Sequence, residues 1–416
     1  MTSIPPTALP SIAGRSVWVM AKGYAPDEGG MQSYASGVAQ AYAAAGAKVT
    51  VFTQTSLGPR SGAVGPVLLV DVGPGRGAGV LFRLLGAVRR ARSRGEAPVF
   101  VHGTTWRTSV VPMLLGLPYV TTFHGREFMG GGAATSAVLR RVARKALLAV
   151  AVSSYTAGRL RERLGGGVAP VVAHNGISVR PEVVEERDGR EGNAVPFLFS
   201  LCRLEPRKNI AACLRACAAL KARGRDFRYV IAGRGPEQAH LQPLVEELGL
   251  SRQVQLVGFV PDAEAERLYL AADIFLHPQI EIAQGRDFEG FGIAIADAMI
   301  CGCSVIAGKD GGSAELVEDG VSGLVVDGED DDALIAAIDR LLQDEGLRQR
   351  MAAAAVRRAR ENFSWGRHIA IIVQALDRQG RRSQGRGEGE QVGSPGRTAP
   401  SAIPVAPLYD GRQRRR

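Results

Sequence analysis

The chain has 416 residues and a mass of 44.0 kDa, and with 45% hydrophobic and 22% charged residues it is typical of a globular protein with two domains. This composition excludes collagen, coiled coils and a wholly disordered chain, and no apolar run reaches the roughly 20 residues that span a bilayer. The net charge of +10 is typical of nucleic-acid binders, but aromatic residues are few and no nucleic-acid-binding module occurs, so we expect no nucleic-acid partner.

From Ser16 onward, short apolar runs alternate with helical patterns, which indicates successive βαβ units. In the first half, strands are predicted at 17–20, 49–52, 67–72, 99–102, 119–123 and 148–152, and helices at 31–45, 80–94, 106–115, 135–147 and 154–164. In the second half, strands are predicted at 197–201, 229–232, 254–257, 274–277, 304–307 and 324–326, and helices at 209–223, 236–248, 263–272, 291–301, 330–343 and 348–378. We therefore predict the α/β class, with two doubly wound parallel sheets.

Composition indicates where the domains begin and end. We expect a disordered N-terminus (1–15), an N-terminal Rossmann-like domain (16–180), a polar linker (181–196), a C-terminal Rossmann-like domain (197–363), a helix that crosses back (364–379) and a disordered basic tail (380–416). Since doubly wound sheets bind ligands at the carboxyl ends of their strands, we expect a cleft between the two facing domains.

Two features of the first half follow predicted strands. Gly29 and Gly30 directly precede a helix, where close backbone approach and free amides suit a phosphate, although a glycine pair is also ordinary in a turn. His124 ends the strand 119–123 and is suited to polar contacts or proton transfer, although an isolated histidine there is more often structural. The segment 73–78 matches G-x-G-x-x-A, but no acidic residue ends the next strand, so we do not expect a dinucleotide site.

In the second half, Arg203 and Lys208 lie between a strand and a helix. Arginine as a fork and lysine as a point charge suit a diphosphate at that position, whereas the alternative is a solvated loop in which Glu205 neutralises one cation.

Farther on, Glu289 precedes the turn Gly290-Phe291-Gly292-Ile293, and Asp297 lies about two turns into the helix that this turn opens. One ligand could contact both carboxylates while the free amides of the turn bind an anion. The alternative is that these acids serve only the helix dipole.

We predict no required metal and no disulfides. The acidic run 330–332 starts a predicted helix and is interpreted as a cap, and the five cysteines are too few for a disulfide framework, so we expect reduced thiols. The N-terminus has no charged start followed by an apolar core, which is why we expect a cytoplasmic protein.

From Val17 to Phe363 these segments together resemble the retaining glycosyltransferases of family 4, which have the GT-B fold of two facing Rossmann-like domains. The resemblance is carried by Gly29-Gly30, TFHG at 122–125, HNGI at 174–177, LCRLEPRKN at 201–209, VIAGRGPE at 230–237, LVGFV at 256–260, EGFGIAIAD at 289–297 and GGSAELVEDGVSGLVV at 311–326. It implies an enzyme, a hexosyltransferase that moves a sugar from a UDP- or GDP-linked donor to an acceptor hydroxyl with retention of configuration. It also implies a role in cell-envelope polysaccharide, glycolipid or glycoside biosynthesis, without a further cofactor.

The resemblance also assigns roles to residues. It implies that Arg203 and Lys208 bind the diphosphate together with amides of Gly29 and Gly30 and of the turn 290–293, that Glu289 and His124 contact the sugar at the reacting face, and that Asp297 contacts the ribose. The family has glutamate at the position of Asp297, which keeps open the alternative of a weak or inactive sugar-nucleotide-binding protein.

Basic residues cluster in the first half, where residues 1–180 hold 20 Lys and Arg against 6 Asp and Glu. One cluster is Arg89, Arg90, Arg92 and Arg94. In the helix 135–147 we expect Val138, Leu139, Val142 and Leu147 to face inward and Arg140, Arg141, Arg144 and Lys145 to face outward. This face either binds anionic lipid, with a lipid-linked acceptor and a peripheral position on the inner membrane face, or is simply solvated, with a small-molecule acceptor.

Overall fold

The computed structural model describes residues 11–27, 29–179 and 194–388, with side chains described as far as residue 381. Within these residues, two sheets lie in one compact unit, Met1–Leu376. The strands of the first sheet are β1 Ser16–Met20, β2 Lys48–Thr53, β3 Pro59–Val64, β4 Val67–Val72, β5 Phe100–Gly103, β6 Tyr119–Phe123, β7 Leu148–Ala151 and β8 Val171–Val172. Their order is β3-β4-β2-β1-β5-β6-β7-β8, and β3 alone of these runs antiparallel to its neighbour.

The second sheet is parallel throughout its described strands. These are β9 Phe197–Leu201, β10 Arg228–Ala232, β11 Val254–Gly258, β12 Ile274–His277, β13 Ser304–Gly308 and β14 Gly323–Val326, in the order β11-β10-β9-β12-β13-β14. In both sheets the chain starts near the centre and winds outward in both directions. This is the doubly wound α/β architecture that the alternation of patterns predicts.

The described helices lie mainly between the strands. Those of the first half are Gly30–Ala44, Ala78–Ser93, Val110–Leu114, Arg126–Met129, Ala133–Lys145 and Ser154–Leu164. Those of the second half are Ile210–Ala222, Gln238–Glu247, Asp262–Ala271, Ile293–Ile300, Asp331–Gln343, Glu345–Asn362 and Trp365–Glu388. None of the helices in this part of the chain is long and apolar enough to cross a membrane.

Every predicted strand is present, but the sequence patterns miss β3 and β8. All residues of β3 are exposed, so this edge strand has no apolar alternation to recognise, and it pairs with β4 through a turn at Gly65 and Pro66. The strand β8 has only two residues, which is too short for any periodicity.

The single helix predicted over 348–378 is wrong. The chain forms two helices there, because Phe363 leaves the helical conformation and the Ser364 hydroxyl accepts a hydrogen bond from the Arg367 amide, 3.1 Å away, which caps a new helix. The new helix ends at Glu388, so the first nine residues of the expected disordered tail are helical although three of them are glycines. The rest of that tail, residues 1–10 of the expected N-terminal segment and 181–193 of the expected linker lie outside the described residues.

The carboxyl ends of the two sheets meet. The Ser154 and Tyr155 amides, which start a helix after β7, donate to the Glu315 carboxylate at 2.8 and 2.6 Å. The Thr156 hydroxyl donates to the Gly290 carbonyl at 3.2 Å, and Gly290 follows β12. The loops at the carboxyl ends of the two sheets therefore contact each other directly. This end of a parallel sheet is where ligands bind.

Candidate active site

A buried lysine and a carboxylate form the centre of the site. Lys208 ends the short 3-10 turn Pro206–Lys208 after β9 and is only 7% exposed. Its ammonium contacts the Glu289 carboxylate and lies 3.2 Å from Nε2 of His277, the last residue of β12. Asn209 fixes the turn, because its left-handed backbone ends the turn and its amide donates to the carbonyls of Pro278 and Gly328 at 3.1 and 2.6 Å.

Arg207 is part of the same cluster, although the sequence patterns did not single it out. Its guanidinium donates to Glu289 at 2.7 Å and lies 3.1 Å from Glu205 and 3.2 Å from Asp287. Three carboxylates thus share one half-buried guanidinium. The only available signal was its place beside Lys208 in a segment rich in cations.

The protonation states in this cluster follow from burial and charge. Burial and, second to it, the charge of Lys208 lower the pKa of His277 to about 4, so its neutral Nε2 accepts from the Lys208 ammonium. Burial alone would raise the pKa of Glu289, but Lys208 and Arg207 outweigh it and hold this pKa well below its ordinary value. At neutral pH the ionised Glu289 therefore lies between Lys208 and Arg207, and Arg207 is shared with Glu205 and Asp287.

Arg203 lies at the rim of this cluster. Its side chain is 76% exposed and contacts Glu205 at 3.2 Å, which is the neutralised-loop arrangement considered as the alternative. Arg126 from the first half also reaches Glu205 and Asp287, at 3.6 Å each. The structure thus brings Lys208 and Glu289 together and leaves Arg203 free to reorient, because a long exposed side chain is weakly held by one surface ion pair.

His124 meets the second half through its backbone. A Cβ atom on Gly290 would overlap the His124 carbonyl oxygen, and one on Gly125 would lie 3.0 Å from the Phe288 ring. Glycine at both positions therefore allows the segment TFHG to touch the segment EGFG.

The imidazole of His124 has a defined tautomer. Its Nε2 lies 2.8 Å from the Thr104 carbonyl, which can only accept, so Nε2 carries the proton. Burial lowers the pKa of His124, while Glu127 and the Thr104 carbonyl partly oppose it, so the ring is neutral near pH 7. Its Nδ1 is consequently an acceptor, suited to a hydroxyl group rather than to donating a proton.

Asp297 lies beneath the loop that follows β8. Its Oδ1 accepts hydrogen bonds from the amides of Ser178 and Val179 at 2.6 and 3.4 Å. The carboxyl therefore joins the helix Ile293–Ile300 to the segment HNGI and the residues after it, a contact that the sequence patterns did not predict.

The two glycines before the helix Gly30–Ala44 differ in whether the local structure requires glycine. Gly29 has a φ of 134°, which favours glycine, whereas a Cβ on Gly30 would meet nothing within 4 Å, so the fold itself does not require glycine there. Among the residues that the structure describes, no acidic side chain lies in the first turn of the helix Gly30–Ala44 or of the helix Ile293–Ile300, and none caps them. Phe291 packs against Phe363 in the core, with 5.7 Å between ring centroids, so its backbone alone is available to a ligand.

Among the described residues, no three His, Cys, Asp or Glu side chains are grouped so that they could hold a metal ion. The five cysteines are free thiols, as the sequence predicts.

We predict that Asp297 makes stability depend on pH. Burial raises the pKa of its carboxyl to about 7, and the two amides only partly oppose this. The pKa of Asp297 is higher in the folded protein than in the unfolded chain, so the folded protein holds this proton more tightly. The resulting contribution to the free energy of unfolding is complete below about pH 4 and is lost as the pH rises through about 7. Relative to Asp297→Asn, the wild type should lose up to about 1.4 kcal/mol of unfolding free energy per pH unit between pH 5 and 7. Urea denaturation of both proteins measures this, and parallel pH profiles would contradict it.

Comparisons with known proteins agree with this architecture. Residues 28–180 match the model of Glycosyltransferase Family 4, and residues 183–358 match that of Glycosyl transferases group 1. Among solved structures, the sucrose-phosphate synthase of Thermosynechococcus elongatus has a TM-score of 0.70 at 19% identity, covering 90% of this chain and 100% of that one. Anabaena HepE in complex with UDP-glucose has a TM-score of 0.66 at 21% identity, covering 88% and 100%.

A relative in sequence is the GDP-mannose-dependent alpha-(1-6)-phosphatidylinositol monomannoside mannosyltransferase of Mycolicibacterium smegmatis. It is 32% identical over 313 residues, which cover 71% of this chain and 80% of the relative. The expected family and the expected GT-B fold are confirmed. The chain belongs to family 4 of the glycosyltransferases and is an enzyme of that class.

Proposed function

We propose that the protein transfers a sugar from a nucleoside-diphosphate sugar to an acceptor hydroxyl and retains the configuration of the anomeric carbon. The observation that supports this most is the buried Lys208 beside Arg207 and Glu289, at the point where the carboxyl ends of the two sheets meet. Cations held in a partly water-excluded site stabilise a departing diphosphate far better than solvated ones do.

Binding of the donor would exchange one anion for another. The diphosphate takes the place of Glu289 as the main partner of Lys208, while Arg203 turns inward from its exposed position at the rim. Backbone amides at the start of the helices Gly30–Ala44 and Ile293–Ile300 add donors, since the N-cap residues Gly29 and Gly292 have no side chain and no described side chain caps either helix. Among the described residues, no atom lies within 4 Å of the place that a Cβ on Gly30 would occupy, which fits this role.

In the chemical step, the bond between the anomeric carbon and the diphosphate oxygen breaks, and that oxygen takes the electron pair. The acceptor oxygen forms the new bond on the same face and gives its proton to the departing diphosphate, so configuration is retained and no covalent enzyme intermediate is needed. Lys208 and Arg203 stabilise the charge that develops on the leaving group. The protein itself need not take up the proton.

Glu289 and His124 would orient the sugar. Once the diphosphate holds Lys208, the ionised Glu289 is available to accept hydrogen bonds from sugar hydroxyls. The Nδ1 atom of neutral His124 also accepts from a hydroxyl, because its Nε2 proton is bound to Thr104. Asp297 would contact the ribose, in competition with the amides of Ser178 and Val179.

The nucleotide is tested by thermal shift with UDP, GDP, ADP and dTDP. The mycobacterial relative is named as GDP-mannose-dependent and HepE was solved with UDP-glucose, so UDP and GDP are the first candidates. A nucleotide at 100 times its dissociation constant should add about 2.7 kcal/mol of stability. If none of the four raises the melting temperature, the proposed donor class is wrong.

A sugar-nucleotide-binding protein without turnover is the second candidate. It is favoured by Asp297, whose side chain is one methylene shorter than the glutamate of the family pattern and is already bonded to the Ser178 amide. Nucleotide binding without any release of nucleoside diphosphate from UDP-glucose or GDP-mannose would support it over the enzyme.

The exposed face of the helix Ala133–Lys145 supports a lipid-linked acceptor. Arg140, Arg141, Arg144 and Lys145 are exposed as expected, but Val138 and Leu147 were expected to face inward and are exposed as well. The correction has a simple geometric reason, because Val138 lies next to the buried Leu139 and Leu147 follows the end of the helix. Apolar groups among cations are typical of surfaces that bind anionic lipid.

The helix Ala78–Ser93 carries the same combination of groups. A groove of about 650 Å³ separates it from β3 and β4, with Arg60, Arg83, Arg90 and Arg94 among its lining residues. Phe82 at the groove is 69% exposed. The two basic helices thus support a membrane-facing surface on the first half.

We predict that the protein pellets with vesicles containing phosphatidylglycerol at low salt, and less at high salt, since each nearby cation contributes about 1 kcal/mol. The variant Arg140→Gln/Arg144→Gln should pellet less. The control Arg350→Gln/Arg357→Gln, which changes two exposed residues of the helix Glu345–Asn362 in the second half, should pellet like the wild type. Equal pelleting with neutral phosphatidylcholine vesicles, or none with anionic ones, would contradict the membrane-facing surface.

A further inference from the structure

A chain of buried hydrogen bonds joins the first sheet to the last helix. Tyr34, Tyr42, His102, Thr122 and His368 form it, and all five side chains are fully buried. Tyr34 lies in the helix Gly30–Ala44, whereas His368 lies 334 positions later in the helix Trp365–Glu388. The reaction steps proposed above do not use these residues.

The direction of the first bonds follows from His368. Its Nδ1 lies 2.9 Å from the His174 carbonyl, which only accepts, so Nδ1 carries the proton. Burial lowers the pKa of His368 to about 4, so the ring is neutral and its Nε2 accepts. The Tyr34 hydroxyl, 2.9 Å away, must then donate to it.

The remaining bonds are fixed in turn. Because the Tyr34 proton is used, the Thr122 hydroxyl at 2.8 Å donates to the Tyr34 oxygen. His102 Nε2, 2.9 Å from Thr122, must then carry a proton and donate. Its Nδ1 accepts from the Tyr42 hydroxyl at 3.0 Å. The bonds thus run in one direction, from Tyr42 through Tyr34 to the His174 carbonyl.

Tyr34 contacts the residues that connect this chain to both loops of the site, His124 directly and His368 through its hydroxyl. The edge-on contact of its ring with His124 has 4.5 Å between centroids. Its hydroxyl holds His368, which binds the backbone of the segment HNGI, and the amides of Ser178 and Val179 just beyond that segment bind Asp297.

Trp365 reinforces the same junction. It donates from Nε1 to the Ile177 carbonyl at 2.8 Å, and its ring is 5.5 Å from that of Tyr34. A Cβ atom on Gly37 or Gly176 would overlap this ring, so both glycines provide the space in which the helix seats. The start of the last helix therefore fits closely against the first helix and the segment HNGI.

We propose that Tyr34 is a positioning residue for the transfer reaction: its ring fixes His124, and its hydroxyl ties the last helix and the segment HNGI to the first sheet. Loss of the hydroxyl removes one of the two hydrogen bonds of the His368 ring and loosens both loops, while the nucleotide-binding cations of the second half stay in place. The part of this inference that concerns turnover rests on the proposed function.

The test compares Tyr34→Phe with Tyr42→Phe. Each variant removes one buried phenol hydroxyl and leaves one buried imidazole nitrogen without a donor. Tyr34→Phe also leaves the Thr122 hydroxyl without its acceptor, so its loss of stability should be the larger of the two. Only Tyr34→Phe breaks the tie to the last helix. We expect amide hydrogen exchange in 122–126 and 174–179 to become about tenfold faster in Tyr34→Phe and to stay within about twofold in Tyr42→Phe.

Turnover is measured as release of nucleoside diphosphate from UDP-glucose or GDP-mannose. Tyr34→Phe should lower kcat about tenfold with donor KM within about twofold, and Tyr42→Phe should keep both near the wild-type values. Equal effects of the two variants on exchange and on kcat would overturn the proposal. If the wild type neither binds nucleotides nor turns over, the proposed function fails, and the exchange comparison still decides the role of Tyr34.

Discussion

Lys208→Ala is expected to lower turnover by two to three orders of magnitude while the protein remains folded. Removing one preorganised donor from the place where charge develops costs roughly 3 to 4 kcal/mol of transition-state stabilisation. Lys208 is buried against Glu289 and His277, so the charge that is lost is one that water cannot replace. Steady-state release of nucleoside diphosphate, with circular dichroism to check the fold, measures the effect.

The control is Lys309→Ala. Lys309 is also a lysine of the second half paired to a carboxylate, Asp327, but it is exposed. It should keep wild-type turnover, because exposed ion pairs contribute little. Near wild-type turnover in Lys208→Ala would make Lys208 a structural partner of Glu289 and remove the basis for the diphosphate site.

Glu289→Gln should separate catalysis from nucleotide binding. The amide keeps the shape of the side chain but removes the charge that accepts hydrogen bonds from the sugar, so we expect kcat to fall by about a hundredfold or more. The same change leaves Lys208 and Arg207 less neutralised. Affinity for the free nucleoside diphosphate should therefore stay the same or increase, the opposite of the effect expected for Lys208→Ala.

Isothermal titration calorimetry of the nucleoside diphosphate and steady-state kinetics measure the two effects. Glu318→Gln is the matched control, since Glu318 is exposed and its carboxylate lies 3.8 Å from Arg358, away from the site. A loss of nucleotide affinity as large as the loss of turnover in Glu289→Gln would show that Glu289 acts in nucleotide binding, contrary to its assignment to the sugar.

Much of the fold is predictable because parallel strands are buried on both faces. Their sequences, such as Val17 to Met20, are continuous apolar runs, whereas the exposed edge strand Pro59–Val64 has no such run. Helix ends are harder to predict, since the break at Phe363 and Ser364 depends on one hydroxyl that caps the next helix.

The site is predictable where it depends on short motifs. Lys208 and Glu289 are 81 positions apart in the sequence. Each lies in a loop that follows a strand, β9 or β12, and these two strands are neighbours in the sheet. Arg207 was not predictable, because nothing in its local pattern shows that three carboxylates converge on it. The contacts of Asp297 with Ser178 and of Tyr34 with His368 join residues that no periodicity relates.

The most direct test of the proposed reaction is a proton NMR time course with UDP-α-glucose and GDP-α-mannose at high enzyme concentration, with water as the acceptor. The proposal predicts that wild type releases one nucleoside diphosphate for each sugar, that the free sugar first appears as the α anomer before mutarotation, and that Lys208→Ala is silent on the same timescale. Initial appearance of the β anomer would contradict retention. Absence of nucleoside diphosphate release from either donor in the wild type, with Lys208→Ala indistinguishable from it, would contradict the donor site built around Lys208 and Glu289.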